Sequence, residues 1–261
     1  MHTVTQTKGI VHHAVVVGAS SGIGSLVARD LDARGVVIST IGRKPCPIPA
    51  VRHWQYDLAA VPWSEVLAEA EAAAAVPIDA LVYVAGDAAF GRAAAVPVIR
   101  ARQLLEANFW NPIAAALATE RLWSSLRAGI FVYVSSISAR RGVPFEAHYC
   151  AAKAACSRFL EALQLEHPEG RLRFVSIYPG RLRTAFRGKA DWHGLAAPAN
   201  PAEGSDPAFV ARSIMSLMEG RRISLVLGAR ERAIDLADRI NPALYDELVL
   251  KRRVKRKLHR A

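Results

Sequence analysis

Short apolar runs alternate with longer amphipathic segments along most of this chain of 261 residues. The strand-like runs lie at residues 14–17, 36–41, 80–84, 130–134, 174–177 and 225–227. The helix-like segments lie at residues 24–33, 61–75, 100–126, 148–166 and 207–218. Buried apolar strands that alternate with helices are typical of a parallel sheet covered on both faces and joined by right-handed crossovers. The sequence therefore predicts an α/β fold in a single domain.

A glycine-rich turn separates the first predicted strand from the first predicted helix. Gly18, Gly22 and Gly24 stand in this turn at GxxxGxG spacing. Glycine lets a backbone turn tightly and approach a pyrophosphate closely, and the helix that follows offers unpaired N–H groups to the phosphates. Glycines at such a turn can also be purely structural. The turn therefore indicates a nucleotide site only in combination with other motifs.

A second motif places a hydroxyl, a phenol and an ammonium group near one another. Tyr149 and Lys153 are four residues apart, so they share one face of a predicted helix. Ser136 follows the apolar strand at residues 130–134, and strand ends that precede helices are where open α/β sheets build their sites. Tyrosine and lysine occur at this spacing on many helices by chance. The prediction of a site therefore depends on the joint pattern.

Together the two segments resemble the short-chain dehydrogenase/reductase family. The resemblance extends over residues 12–228. It implies a Rossmann-like doubly wound parallel sheet flanked by helices, with one oxidoreductase domain over residues 1–261 and a helical, basic C-terminal extension at residues 229–261. It also implies a dehydrogenase or ketoreductase that interconverts a small-molecule carbonyl and an alcohol by hydride transfer.

The resemblance implies four catalytic residues: Asn108, Ser136, Tyr149 and Lys153. Tyr149 would exchange a proton with the substrate oxygen, although free tyrosine has a pKa of about 10. The charge of Lys153 would favour the tyrosinate, and its ammonium would bind the nicotinamide ribose. Ser136 would orient the substrate oxygen. Asn108 would hold a water molecule that leads to the lysine.

The family's cofactor contacts fall on positions that match its motifs. Besides Tyr149 and Lys153 these are Gly18, Ser20, Ser21, Gly22, Ile23, Gly24, Arg43, Asp57, Leu58, Ala85, Gly86, Pro179, Gly180, Leu182 and Thr184. Asp57 falls where the family has an aspartate near the adenine ring. The segment from 179 to 184 resembles the family segment that holds the nicotinamide carboxamide. Tyr83 and Val84 depart from the family pattern, which has two asparagines before Ala85 and Gly86.

The residues after the second strand favour NADP over NAD. Arg43 and Lys44 stand there with no acidic residue nearby. An acidic side chain would accept hydrogen bonds from the ribose of NAD, whereas arginine holds a 2′-phosphate through charged hydrogen bonds. The alternative is that Arg43 is an exposed loop residue without a ligand.

The positive charge of the chain is concentrated at its C-terminal end. Seven of the eleven residues at 251–261 are Lys or Arg, and without them the net charge falls from +11 to +4. We interpret this run as a solvated end and expect no nucleic-acid partner. Two other functions stay open: a catalytically silent, cofactor-binding regulatory protein of the same fold, and a protein that binds an anionic surface through its basic tail.

Cysteine and histidine positions indicate neither a metal site nor a disulfide framework. Cys46, Cys150 and Cys156 lack metal-ligand spacing, and His12 and His13 have no acidic or cysteine companions at such spacing. No apolar stretch approaches the roughly 20 residues that a membrane-spanning helix needs, and no signal peptide is recognisable. We therefore expect no metal and a cytoplasmic protein. We also expect a homodimer or homotetramer.

Two segments near the C-terminal end are candidates for contact with the substrate. Residues 187–206 form the longest irregular stretch, which predicts a functional lid or a disordered loop, and Phe186 and Trp192 could line an apolar substrate. Beyond it an apolar stripe comprises Ile234, Ala237, Ile240, Leu244 and Leu248. Asn241-Pro242 interrupts the stripe, which predicts two helices. They could cover the substrate entrance, contact another subunit or rest on a membrane; we favour the first two.

Overall fold

Seven parallel strands form the central sheet in the order β3-β2-β1-β4-β6-β7-β9. The computed structural model describes residues 11–48, 52–123, 127–197, 203–251 and 254. The strands are β1 (His13–Val17), β2 (Val37–Gly42), β3 (Arg52–Gln55), β4 (Ala80–Tyr83), β5 (Ala89–Gly91), β6 (Gly129–Val134), β7 (Leu172–Tyr178), β8 (Asp191–His193) and β9 (Ser224–Val226). β5 and β8 form a separate two-stranded sheet. The predicted doubly wound α/β fold is confirmed.

Helices cover both faces of the sheet. They are α1 (Gly22–Asp32), α2 (Trp63–Ala74), α3 (Val98–Leu105), α4 (Asn111–Trp123), α5 (Ala147–Leu165), α6 (Pro207–Glu219), α7 (Ala229–Ile240) and α8 (Pro242–Tyr245). Alternate residues of one strand enter different cores: Val15 packs in the cluster that includes α2, α4 and α5, whereas Val16 packs with α1 and α6. The central strands β1, β4 and β6 are therefore buried on both faces, which explains why they read as continuous apolar runs.

The strand order creates a crevice beside the end of β1. β1 lies between β2 and β4, so the chain winds away from it in opposite directions. In open α/β sheets, ligands bind at such a switch point, outside the carboxyl ends of the strands. The glycine turn follows β1 and Ala85-Gly86 follows β4. The fold therefore brings these two predicted segments to the same edge of the sheet.

The helix predicted over residues 100–126 is helical without a break from Val98 to Trp123, but its hydrogen bonding changes midway. α3 ends at Leu105, a π-helical turn occupies Glu106–Trp110, and α4 begins at Asn111. Residues 124–126 lie outside the described part. Asn108, inside the π turn, donates from Nδ2 to the carbonyl of Leu104 at 3.0 Å. Such π turns within helices are frequent at functional sites.

The predicted irregular stretch at 187–206 contains strand β8. Its three residues pair in parallel with β5, which the sequence also did not predict. Residues 198–202 lie outside the described part. β3, of four residues, was likewise missed. None of the three forms a continuous apolar run, because their sequences are Arg-His-Trp-Gln, Ala-Phe-Gly and Asp-Trp-His.

The two predicted C-terminal helices are confirmed. α7 ends at Ile240 and α8 begins at Pro242, so the break falls at the predicted Asn241-Pro242. Ile234 is half-buried, whereas Ala237 and Ile240 are exposed. The side chains of Leu244 and Leu248, and the basic tail apart from residues 251 and 254, lie outside what the structure describes. Among the helices it does describe, none combines the length and hydropathy required to cross a bilayer.

Candidate active site

A cleft of about 1880 Å³ runs along the carboxyl ends of the strands. Every predicted site residue except Gly24 and Asn108 lines it. The cleft therefore brings together the glycine turn, the segment after β4, the Tyr149 helix and the segment from 179 to 184. These segments are far apart in the sequence, and only the parallel sheet places them at one edge.

The glycine turn packs closely against the segment after β4. Gly18 has a φ of +88°, and a Cβ at this position would lie 2.9 Å from the amide nitrogen of Ala85. A larger residue would therefore be strained and would also collide with the segment after β4. Ser21 precedes α1 but its side chain makes no capping hydrogen bond. The first amides of α1 are thus available to an anion.

Tyr149 is buried in the wall of the cleft, with 7% of its surface exposed. Its ring packs edge-on against Phe90 at 5.9 Å between centroids and lies 6.1 Å from the ring of Phe186. Burial raises the pKa of Tyr149 above its usual value, and a hydrogen bond with Ser136 opposes that shift. The phenol is therefore neutral near neutral pH and lies beside the serine hydroxyl.

Lys153 lies one helical turn further, and only 3% of its surface is exposed. Its Nζ donates to the carbonyl oxygen of Val134 at 3.0 Å and lies 4.6 Å from the centre of the Tyr133 ring. Burial lowers the pKa of Lys153 to about 8. A Cβ on Gly86 would lie 3.3 Å from this Nζ, so the glycine leaves the ammonium group room at the floor of the cleft.

Asn108 is completely buried beneath the same floor. Its Nδ2 donates to the carbonyl of Asp87 at 2.8 Å, and its Oδ1 accepts from the amide of Asp87 at 3.2 Å. A Cβ on Gly86 would lie 2.8 Å from this Oδ1. The side chain of Asn108 therefore fixes the loop after β4, and Gly86 separates it from Lys153.

The far end of the cleft carries exposed positive charge. Arg43 and Lys44 follow β2 and are exposed. Asp57 caps the turn at Leu58–Ala60 by accepting a hydrogen bond from the amide of Ala59 at 3.3 Å. The predicted residues at the adenine end therefore lie on two neighbouring loops. The loop after β2 carries the two exposed cations.

The segment from 179 to 184 closes the cleft opposite the glycine turn. The carbonyl of Pro179 accepts from the amide of Ile137 at 2.9 Å, which joins this segment to the loop after β6. A Cβ on Gly22 would lie 3.7 Å from Cγ2 of Thr184. The two predicted cofactor-binding segments thus face each other across the cleft.

Several cleft residues were not predicted as site residues. Glu146, whose side chain is 3% exposed, accepts from Ser138 Oγ at 3.0 Å and pairs with Arg187 at 3.2 Å. The guanidinium carbon of Arg187 lies 4.2 Å from the centre of the Phe90 ring. Glu146 lies two residues before the predicted helix of Tyr149, which was the available signal. Phe90 offered none, because it lies in the unpredicted strand β5.

The C-terminal extension also reaches the cleft. Arg230, Glu231 and Ile234 of α7 line it. Two arginines that follow Ser138 hold the extension there: Arg140 pairs with Asp235 at 2.8 Å, and Arg141 pairs with Asp238 and Asp246. Of the three arrangements considered for this segment, the described residues show packing at the cleft.

Comparison with known proteins gives a consistent family assignment. Residues 12–193 match the short chain dehydrogenase family. An uncharacterized oxidoreductase of Myxococcus xanthus is 31% identical over 183 residues, which cover 66% of this chain and 72% of that protein. The mouse dehydrogenase/reductase SDR family member 7B is 26% identical over 247 residues, covering 85% of this chain and 75% of that protein.

Solved structures share the fold. A short-chain dehydrogenase from Streptomyces avermitilis superposes with a TM-score of 0.79 at 22% identity, covering 95% of this chain and 98% of that one. A Burkholderia cenocepacia short chain dehydrogenase in complex with NADP gives 0.76 at 24% identity, with 92% and 98% covered. The family match extends over well more than half of the chain, from the strand before the glycine turn to strand β8. The chain is therefore a member of the short-chain dehydrogenase family of NAD(P)-dependent oxidoreductases.

Proposed function

We propose that this oxidoreductase uses NADP to interconvert a small-molecule carbonyl and its alcohol, with Tyr149 as the acid and base. The observation that carries the proposal is the convergence of Ser136, Tyr149 and Lys153 at one end of the cleft, beyond the glycine turn. The phenol, the hydroxyl and the ammonium group come from the ends of β6 and the start of α5. These are the groups that a reaction at a carbonyl oxygen requires.

The cleft fits a nicotinamide dinucleotide. The uncapped start of α1 suits a pyrophosphate, and the segment from 179 to 184 lines the same cleft and would hold the nicotinamide end. When bound, the cofactor supplies or accepts the hydride. Lys153 would bind the nicotinamide ribose through its ammonium group.

The protein's own residues would handle the proton. Ser136 donates a hydrogen bond to the substrate oxygen and orients it, and Tyr149 delivers the phenolic proton as negative charge develops there. The ammonium of Lys153 stabilises the resulting tyrosinate, an effect that burial strengthens. Because the pKa of Tyr149 is raised, the proton-donating form predominates near neutral pH.

Arg43 and Lys44 support the choice of NADP. Both are exposed at the end of β2, and Arg43 forms no ion pair with a described residue. Its guanidinium is therefore available to a 2′-phosphate. We further propose a cytoplasmic homodimer or homotetramer, as predicted from the sequence.

A carbonyl screen tests the proposal. NADPH absorbance is followed with isatin, 9,10-phenanthrenequinone, 4-nitrobenzaldehyde and ethyl acetoacetate, using Tyr149→Phe as the inactive control. We expect NADPH consumption by the wild-type protein and none above background by the variant. NADPH binding without consumption across a broad panel would support the silent regulatory protein instead. Equal rates for both proteins would refute the role of Tyr149.

A further inference from the structure

Arg100 of α3 binds two carboxylates that come from segments far apart in the sequence. Its Nη1 lies 2.5 Å from Oδ2 of Asp87, and its Nε lies 2.6 Å from Oδ2 of Asp191. Its Nη2 donates to the carbonyl of Ala88 at 3.5 Å. The Arg100 side chain is 18% exposed and lines the cleft. One guanidinium thus joins the loop after β4 to strand β8.

The first partner of Arg100 is also the partner of Asn108. Both the amide and the carbonyl of Asp87 are bonded to the side chain of Asn108. The other carboxylate oxygen of Asp87 accepts from the amide of Ala88 at 2.7 Å. Every polar group of Asp87 is therefore engaged, and a displacement of Asp87 would move Asn108 with it.

The second partner of Arg100 lies in the lid, which we define as residues 185–197. Asp191 begins β8, and the next residue, Trp192, lies 5.0 Å from Phe90 between ring centroids. Phe90 in turn packs against Tyr149. The position of β8 therefore determines the aromatic wall beside the phenol.

The β5–β8 pairing needs support from outside the two strands. Each strand has three residues, and an isolated two-stranded sheet is marginally stable at best in water. The ion pair between Arg100 and Asp191 supplies such support, because the guanidinium side chain is only 18% exposed although the carboxylate is half exposed. Together with the packing of Trp192 on Phe90, it holds β8 on the body of the protein.

We propose that Arg100 is a positioning residue that fixes the lid strand and the Asn108 loop in a single arrangement. The attachment of the lid stands on its own geometry, whereas the kinetic consequence rests on the proposed function. When the link is intact, Phe90 in the cleft wall, with Trp192 packed against it, and the loop that Asn108 fixes are held together around Tyr149.

Three variants and a control separate the two arms of this link. Asp191→Asn removes the charge on the lid arm alone, Arg100→Gln breaks both arms, and the third variant combines the two changes. Arg102→Gln is the matched control, because Arg102 is exposed on the same helix and forms no ion pair with a described residue. Thermal unfolding of each variant shows whether the fold persists; if Arg100→Gln does not fold, Asp191→Asn still tests the lid arm.

Limited trypsin digestion reads the lid directly, since Arg187 and Lys189 are cleavage sites within it. We expect cleavage after these residues to be about tenfold faster in Asp191→Asn and Arg100→Gln, because local opening becomes easier. The Arg102→Gln control should match the wild-type protein. Unchanged lid cleavage in both variants would overturn the proposal.

Kinetics distinguish positioning from general loosening of the fold. With a carbonyl that the screen identifies, Asp191→Asn should raise its KM about tenfold and leave the Kd of NADPH and the kcat nearly unchanged. Arg100→Gln should also lower kcat, because the Asn108 loop is released. Adding Asp191→Asn to Arg100→Gln should have no further effect, since the shared interaction is already lost.

Two results would contradict the coupling. One is a combined variant whose KM increase equals the product of the single effects, and the other is a parallel loss of NADPH affinity and carbonyl affinity. If the wild-type protein reduces no carbonyl, the proposed function fails. The digestion experiment would then still decide whether Arg100 holds the lid.

Discussion

The hydroxyl of Tyr133 donates a hydrogen bond of 2.8 Å to the backbone carbonyl of Asn108. This bond joins β6 to the π turn at Glu106–Trp110, where the helical hydrogen-bond pattern changes and the Asn108 carbonyl accepts the bond from Tyr133. The face of the same ring lies 4.6 Å from the Nζ of Lys153. Tyr133 thus supports two of the four predicted catalytic residues without lining the cleft itself.

Tyr133→Phe should weaken the fold by leaving the Asn108 carbonyl without its buried partner. The expected loss in the free energy of unfolding is about 1–3 kcal/mol, measured by urea denaturation. Tyr83→Phe is the matched control: Tyr83 pairs in register with Tyr133 on the adjacent strand, and its buried hydroxyl has no hydrogen-bond partner among the described atoms. The control should be neutral or stabilising. Equal destabilisation by both changes would contradict this account.

Tyr149→Phe should lower the kcat of carbonyl reduction by about 10²–10⁴-fold, the range that a general acid contributes. The ring and its packing against Phe90 remain, so fold and NADPH affinity should persist. Stopped-flow reduction and calorimetric titration with NADPH measure the two effects. Activity within about twofold of the wild-type protein would exclude Tyr149 as the proton donor.

The charge of Lys153 should give the reaction an alkaline limit. Burial lowers the pKa of Lys153 to about 8, so its ammonium form is present below that pH and is lost above it. If the tyrosinate needs this charge, kcat/KM for reduction should decline as pH rises through about 8. A profile that stays level to much higher pH would show that the charge is not required.

Lys153→Met should separate stability from function. Because the folded-state pKa of Lys153 lies below its unfolded value, the buried charge destabilises the fold at neutral pH, and wild-type stability should recover as pH rises from about 8 toward 10.5. The variant should therefore resist urea better than the wild-type protein at pH 7. Turnover and NADPH affinity should both fall. Unchanged affinity would remove the ribose contact from the proposal.

Local motifs in the sequence were sufficient to predict the fold, and all but two of the site residues predicted from them line the cleft. The spacing of Gly18 and Gly22, and of Tyr149 and Lys153, is set within one turn or one helix. Strand runs such as residues 130–134 are apolar throughout because both faces of the sheet are covered. These features need no knowledge of distant contacts.

Two of the missed features depend on residues far apart in the chain. The π turn at Asn108 is stabilised by bonds to Asp87 and Tyr133, and each lies more than twenty positions away. Strand β8 pairs with a segment about a hundred residues earlier and contacts Arg100. No local propensity records such contacts, so the sequence predicted neither the π turn within the helix nor the strand within the irregular stretch.

Arg43→Asp should reverse the charge offered to a 2′-phosphate. We expect the KM for NADPH to rise by at least about tenfold, since charged hydrogen bonds to phosphate contribute strongly, while the KM for NADH stays the same or falls. Steady-state kinetics with both cofactors measure this. Equal losses would indicate a folding defect, and a wild-type preference for NADH would overturn the choice of NADP.

Two C-terminal deletions should have different effects. Removal of residues 251–261 leaves Arg140 and Arg141 paired with Asp235, Asp238 and Asp246, so turnover and solubility should be nearly unchanged. Removal from residue 229 onward strips both arginines of these partners and uncovers the cleft wall, so both properties should be impaired. Turnover in the carbonyl screen and the soluble fraction after expression measure the difference.

A vesicle experiment tests the alternative role of the tail. If the full chain sediments with phosphatidylserine vesicles and the shorter deletion does not, the tail binds a membrane surface. Full activity after the longer deletion would show that the extension has no part in the site.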